Sequence, residues 1–401
     1  MKTKSFRYMW IGQALANLGD IFYIVGLISI LYAVSESVLS LTLLPFVNTA
    51  GRFISGIFSP ILFNKYRLKQ LLVCSQWSKT IVLLGLIFWI SLQDDVSVIG
   101  MVLFIFVIAF LDGWAMPASR AMLPRIVSDK EIVKANSFVA MVNQTIQLGG
   151  WAIGGALVAL LDGQQVIWLT FVLFLFSSVM MCFIIDPTPS KHTERNRKVL
   201  EVLMEGWKII WHNKLFRTLH VVLVIESMAN VVWIAAIIYV FVSEVLHKSE
   251  AWWGYINTTF FVGLLIGGVF CSRYSLFMKK QIKKIMLLSS IGVSFITFLF
   301  GINSVGWVAL ILSILFGLVE QIKSITFEAY IQREATSSEL PKIYGTQEAL
   351  LSICFGIFSL MIGSIAEWFG VKSVFILASL MLAGSALYLI FVQKRFTKSY
   401  F

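Results

Sequence analysis

Nine ionisable side chains lie inside stretches of this 401-residue chain that are otherwise as apolar as a lipid tail. Six are acids: Asp20, Asp112, Glu226, Glu320, Glu328 and Glu348. Three are bases: Arg52, Lys79 and Lys323. A charge at bilayer depth costs at least about 2.5–3.5 kcal/mol, so such residues face a cavity or a partner and mark a path for ions, protons or substrate. Burial in a medium of low dielectric favours the neutral form of a carboxyl, which lets it exchange a proton near neutral pH. An acid so placed can couple proton movement to the movement of something else. Arg52 keeps its proton under ordinary conditions, so it needs an acid, a carbonyl or a substrate anion, and Asp20 on the neighbouring span is the expected acid. Glu226, in VVLVIESMANVVW, has Ser227 and Asn230 beside it, which suggests a wet face. Glu320 and Lys323 stand three apart, share a helix face and can pair, either structurally or in a cavity wall. Glu348 is early in its run, Glu328 is near an end, and Lys79 is expected to snorkel to the cytoplasmic surface.

Positioning these residues falls to helices. Of the chain, 58% is hydrophobic and 13% charged, against roughly 45–50% and about 25% for a soluble domain. That composition excludes a water-soluble globule. The apolar runs are near 20 residues long and do not alternate with period two, which selects membrane-spanning helices over a barrel. Twelve spans are predicted near 9–33, 41–63, 71–91, 97–118, 136–160, 166–185, 218–242, 253–272, 285–302, 306–328, 344–365 and 373–392. The first is read as a retained span rather than a signal peptide, because its apolar part is long and contains Asn17 and Asp20.

The loops alternate in character. On one side SESVLS, QDDVS, DGQQ, NSVG and the loops around Lys248 and Lys372 hold two basic residues between them. On the other side lie 27 of the 32 Lys and Arg. The positive-inside rule then places both termini and the basic loops in the cytoplasm. The same rule accounts for the net charge of +11 without nucleic acid as a partner. Segment 186–217 divides the chain into halves at 1–185 and 218–401, and its part VLEVLMEGWKIIW has the apolar spacing of an amphipathic surface helix. Basic loops follow both span two and span eight, as in a fold built from two six-helix repeats with substrate sites near the midplane. Cys74, Cys182, Cys271 and Cys354 stand singly and the four histidines are scattered, so no metal site or cofactor is expected. No G-x-x-x-x-G-K-[ST] is present to use ATP.

The stretch AFLDGWAMPASRAMLPRIVSDKEIVKAN, residues 109–136, ends the fourth span. Arg120 and Arg125 mark the cytoplasmic end as headgroup anchors, and Arg120 is alternatively a gate residue. Asp112 and Arg120 are eight apart, roughly on one face and too far apart to pair directly. As members of a cytoplasmic gate each needs a partner on another helix, and Pro117 between them weakens the local backbone ladder. Gly150, Gly154 and Gly155 in GGWAIGG, with Trp151, and Gly263, Gly267 and Gly268 in span eight put small residues where helices can approach closely.

Four places resemble a known family. They are QALANLGDIFYIVG with Gly19 and Asp20, PASRAMLPRIV followed by KAN, QLGGWAIGG, and IQREA with LPKIYG further on, where Gln332, Lys342 and Gly345 match in kind. Together they are similar to the major facilitator superfamily over nearly the whole chain, and within it to drug:proton antiporters of the macrolide-efflux type. Trp151 stands where that branch has Pro. In the loop after span two, PILFNKYRLK has Pro60 for the family's Gly and Asn64 for its Asp, keeping Lys65, Arg67 and Lys69. The resemblance implies that Asn64, Lys65 and Arg67 belong to the cytoplasmic gate, with the usual gating Asp absent.

The expectation is an all-α membrane protein with twelve helices in two six-helix halves. The resemblance implies a bacterial cytoplasmic-membrane transporter, monomeric in the lipid bilayer, that exchanges protons for small amphipathic drugs or metabolites by alternating access. Asp20, Arg52, Glu226, Glu320, Lys323 and Glu348 are the expected proton-coupling or cavity residues. An exporter of one natural metabolite (a siderophore, peptide antibiotic or lipid-like compound) fits the same residues. From other classes, a non-transporting sensor keeps the fold, and a membrane-embedded enzyme would want a His-rich or metal-binding cluster.

Overall fold

A computed structural model describes residues 4–35, 38–93, 97–186, 201, 204–249 and 251–396. Among these there is no strand. The helices are α1 Lys4–Ser35, α2 Val38–Lys65, α3 Leu68–Ser91, α4 Val98–Gly113, α5 Ala115–Ile126, α6 Ile132–Leu161, α7 Gly163–Cys182, α8 Glu205–His212, α9 Lys214–Ala229, α10 Ala235–Glu244, α11 Ala251–Arg273, α12 Ser275–Lys280, α13 Ile282–Ile302, α14 Gly306–Glu334, α15 Leu340–Phe369 and α16 Val371–Phe396. Eleven of the twelve predicted spans coincide with helices long and apolar enough to cross a membrane. The remaining one, 41–63, falls within α2. In the segment 186–217, α8 occupies the second part of the predicted amphipathic stretch, while 187–200 lie outside the described residues.

Two spans are broken, and both breaks bear on the charged residues. The fourth is divided into α4 and α5 at Trp114. Pro117 explains it, because its missing N–H would have bonded the Gly113 carbonyl four residues back. The seventh is divided after Glu226. There α9 ends at Ala229, a 3₁₀ turn covers Asn230–Trp233, Ile234 is extended with φ −71 and ψ 155, and α10 begins at Ala235.

The chain forms two compact units. One comprises Met1–Asp129, Thr145–Trp207 and Ala335–Ala349; the other comprises Lys130–Gln144, Lys208–Glu334 and Leu350–Phe401. In the first, Tyr23, Leu27 and Leu31 of α1 meet Leu83, Leu86 and Ile87 of α3, Ile105 and Ile108 of α4, and Phe174 of α7. The spacing of three and four residues turns each set onto one helix face. In the second, the Trp233 ring stacks on Phe316 at 3.8 Å and leans on Phe300 at 4.7 Å, with Phe375 at 5.8 Å. The break in the seventh span thus ends in an aromatic plug.

Small residues set the helix spacing. A Cβ at Gly317 of α14 would strike the Phe260 carbonyl of α11, and one at Gly263 of α11 would strike the Ile314 carbonyl of α14. Gly150 and Gly154 of α6 let Ile21 and Val25 of α1 approach, Gly155 has nothing within 4 Å, and Trp151 is exposed. Gly317→Val is therefore expected to cost about 1–3 kcal/mol by overpacking, read as a lower thermal midpoint of the purified protein in detergent. Gly356→Val, placed where nothing lies within 4 Å, should leave that midpoint unchanged.

Candidate functional site

Four helices of the first unit bring two acids and two bases together. Lys79 of α3 puts its Nζ 2.8 and 3.1 Å from the two carboxylate oxygens of Asp20 on α1. The same nitrogen lies 2.9 Å from Oδ1 of Asp112 on α4. Arg52 of α2 closes the chain, with Nη2 2.8 Å from Asp112 Oδ2. Lys79 is 0% exposed, whereas the Arg52 side chain is 37% exposed. Close helix approach makes this possible. Gly19, next to Asp20, faces the Phe174 ring of α7, and the Lys79 ammonium lies 4.9 Å from that ring's centre. Gly113, next to Asp112, faces Ser55 and the Arg52 backbone. Ser75 donates to the Leu111 carbonyl at 2.6 Å and ties α3 to α4. Asn48 donates to the Tyr23 hydroxyl at 2.9 Å one turn away. Ionised throughout, the four groups balance.

Lys79 does not snorkel. It stands 11 residues into α3, about 16 Å along the axis at 1.5 Å per residue, beyond the reach of its own stem. Two buried carboxylates supply what the surface would have. Arg52 meets Asp112 rather than making its ion pair with Asp20, and Asp112 joins this buried network, away from Arg120.

A second cluster lies in the other unit. Lys323 of α14 has its Nζ 2.6 Å from Glu320 Oε2 and 3.4 Å from Glu226 Oε2 of α9. Ser290 of α13 donates to Glu226 Oε1 at 3.4 Å. Glu226 and Lys323 are buried and Glu320 is half-buried. Two carboxylates here share one ammonium. The break in the seventh span begins one turn beyond Glu226, and Asn230 Oδ1 and Trp233 Nε1 there are buried without a hydrogen-bond partner among the described residues. Among those residues no group of three or more His, Cys, Asp or Glu is placed to hold a metal.

The expected gate residues are spread along the end that carries the basic loops. Asn64 donates to Glu205 Oε2 of α8 at 3.2 Å. The Lys65 ammonium lies 5.4 Å from the Tyr66 ring centre. The Arg67 backbone N–H is capped by Gln70 at 3.1 Å. The Arg120 guanidinium sits 4.7 Å from the Tyr344 ring centre, and Arg125 bonds the Ser337 carbonyl at 2.5 Å and faces Asp186 at 3.6 Å. Glu328 accepts from Gln332, which in turn accepts from Asn136 at 2.6 Å. Glu348 on α15 adds to the negative field at Arg52. Sequence reasoning missed Lys79 as a network member, although its depth in LLVCSQWSKTIVLLGLIFW was a usable signal. It also missed Glu205, for which a single sequence offers none.

Removing Lys79 takes from Asp20 its ion-pair partner and leaves Asp112 with Arg52 alone. Lys79→Met should lower stability by about 3–5 kcal/mol, the usual loss when one partner of a buried pair is deleted. Adding Asp20→Asn should restore part of it, because Asp112 keeps Arg52. Thermal unfolding of the three purified proteins checks this; a Lys79→Met protein as stable as wild type would rule the network out as a structural element.

Residues 9–346 match the sequence pattern of the Major Facilitator Superfamily. The chain is 29% identical over 389 residues to the uncharacterized MFS-type transporter YfmI of Bacillus subtilis (strain 168), covering 96% of each chain. It is 25% identical over 381 residues to YjbB of the same organism, an uncharacterized MFS-type transporter, covering 94% of this chain and 93% of that one. Among solved structures, the fold is similar to the E. coli fucose:proton symporter FucP (TM-score 0.75, 13% identity, 96% and 98% of the two chains covered). It is similar also to the human organic anion transporter MFSD10 (0.76, 10%, 96% and 99%) and to a bacterial homologue of the iron transporter ferroportin in an outward-facing state (0.76, 15%, 97% and 99%). With the pattern matched over most of its length and the twelve-helix fold shared nearly end to end, this multi-pass membrane protein belongs to the Major Facilitator Superfamily of transporters.

Proposed function

We propose that the chain is a proton-coupled exporter of small amphipathic drugs or metabolites, working by alternating access in a bacterial cytoplasmic membrane with its basic loops and both termini in the cytoplasm. The observation that supports it best is the charge count of the second cluster. Glu226 and Glu320 face a single Lys323, so the fully ionised set holds one surplus negative charge in a buried place, where an unpaired charge is costly. A proton or a substrate cation removes that surplus. Glu226 is the buried acid of the two and adjoins the broken span, so it is the first proton site in this reading. The Asp20 network balances itself, and its part is to hold α1, α2, α3 and α4 in register as the proton site loads and empties. Arg52, half open beside Asp112, and Glu348 complete the cavity set.

The test is dye movement in liposomes holding the purified protein, with an acidic lumen and ethidium outside. Wild type should accumulate dye while the pH gradient stands and stop when it is collapsed. Glu226→Gln should drop gradient-driven uptake to the protein-free background while remaining folded by size-exclusion chromatography. Uptake unchanged in that variant would remove the proton assignment. No uptake across a broad dye panel would sink the multidrug reading and favour export of one natural metabolite, to be sought among secreted compounds.

A further inference from the structure

At the basic-loop end of the first unit, one carboxylate reaches two spans at once. Glu205 opens α8. Its Oε1 accepts from Lys342 Nζ, near the start of α15, at 2.5 Å, and its Oε2 accepts from Asn64 Nδ2, at the end of α2, at 3.2 Å. Gly206 follows, and a Cβ there would run into the Thr346 hydroxyl and the Lys342 carbonyl, so α8 lies against α15 with no room between. Under this contact Ser59 of α2 is fully buried, at the place where a Cβ on Gly345 of α15 would touch it. Tyr344, next to Gly345, is fully buried beneath the Arg120 guanidinium.

We propose that Glu205 is a releasable clasp that holds the start of α15 to the end of α2 and closes this end of the transporter. Three features argue for it. The carboxylate binds two donors from two different spans, which a merely local surface pair does not do. The Lys342 and Glu205 side chains are 12% and 24% exposed. That depth makes a charge-assisted bond worth more than a surface pair, yet spares it the desolvation penalty of a fully buried one. Asn64 is chemically matched to the role, because an amide donates to Glu205 where a carboxylate at the same place would repel it. The clasp also has a route to the proton site, since α8 leads through the Asn213 cap directly into α9, which bears Glu226. That last link rests on the transport reading above; the clasp itself does not.

Opening can be read without substrate or gradient, so a negative dye result leaves the outcome interpretable. Ser59→Cys in a background lacking the four native cysteines gives one thiol, reachable when α15 leaves α2. The full chain is placed in nanodiscs and labelled with a water-soluble maleimide. Glu205→Gln should label ~5-fold faster, the change that removal of one partly exposed charged pair brings to an opening equilibrium. Asn64→Asp should also label faster, because two carboxylates then face each other. The charge-exchanged double variant Glu205→Lys with Lys342→Glu restores the pair in reverse, with the Asn64 amide oxygen free to accept from the new ammonium, and should return to within ~2-fold of the parent, the non-additivity that marks direct coupling. Unchanged labelling in Glu205→Gln overturns the clasp. Fast labelling in all three variants also overturns it, since it signals lost packing and not a lost bond.

Discussion

A lysine that cannot reach water fixes the arrangement of half this molecule. Lys79 is held between Asp20 and Asp112, and Asp112 is held by Arg52. Each member is tolerable at bilayer depth only while its neighbours are in place. Four helices must therefore arrive together, and the glycines beside the two acids are there so that they can. Gly19 admits Phe174 and Gly113 admits Ser55. Electrostatics and close packing are one constraint here: a bulkier residue at either glycine would lengthen the ion pairs it adjoins.

The second cluster obeys the same physics with a different sum. Its elements are two separate helices and a serine from a third, and one of those helices stops a turn after Glu226. A broken span frees backbone groups, which survive in a membrane protein only when buried in protein or lining a cavity. The aromatic stack on Trp233 seals the break on one side. Within it Asn230 Oδ1 and Trp233 Nε1 stay buried without a hydrogen-bond partner among the described residues. The unit thus joins a rigid plug to an adjustable charge.

Much of this was legible in the residues. Long unbroken apolar runs gave the spans, because only helices and closed barrels satisfy a backbone in lipid and these runs lack a barrel's alternation. The nine ionisable residues stood out as exceptions within those runs, and Pro117 foretold the break at Trp114. Partnerships were not legible. Arg52 could have met Asp20 or Asp112, and only the packing of α2 against α4 decides it. Lys79 was read as a surface residue, although 11 residues of helix separate it from the start of α3. Glu205 lies far along the chain from Asn64 and Lys342, and nothing in its own neighbourhood marks it. The break after Glu226 contains no proline, so local rules did not reveal it either.

The difference between the two clusters has an electrical consequence. Ionised throughout, the Asp20, Lys79, Asp112 and Arg52 foursome sums to zero, and a membrane voltage does no net work on it however far it moves. The Glu226, Glu320 and Lys323 threesome sums to minus one when ionised and to zero with one proton bound. A single unbalanced charge crossing the whole field gains or loses about 2.3 kcal/mol per 100 mV. In the proton-coupled cycle proposed above, loading the proton and discharging this cluster would be a single event, and the cluster would respond to voltage only while it is unloaded.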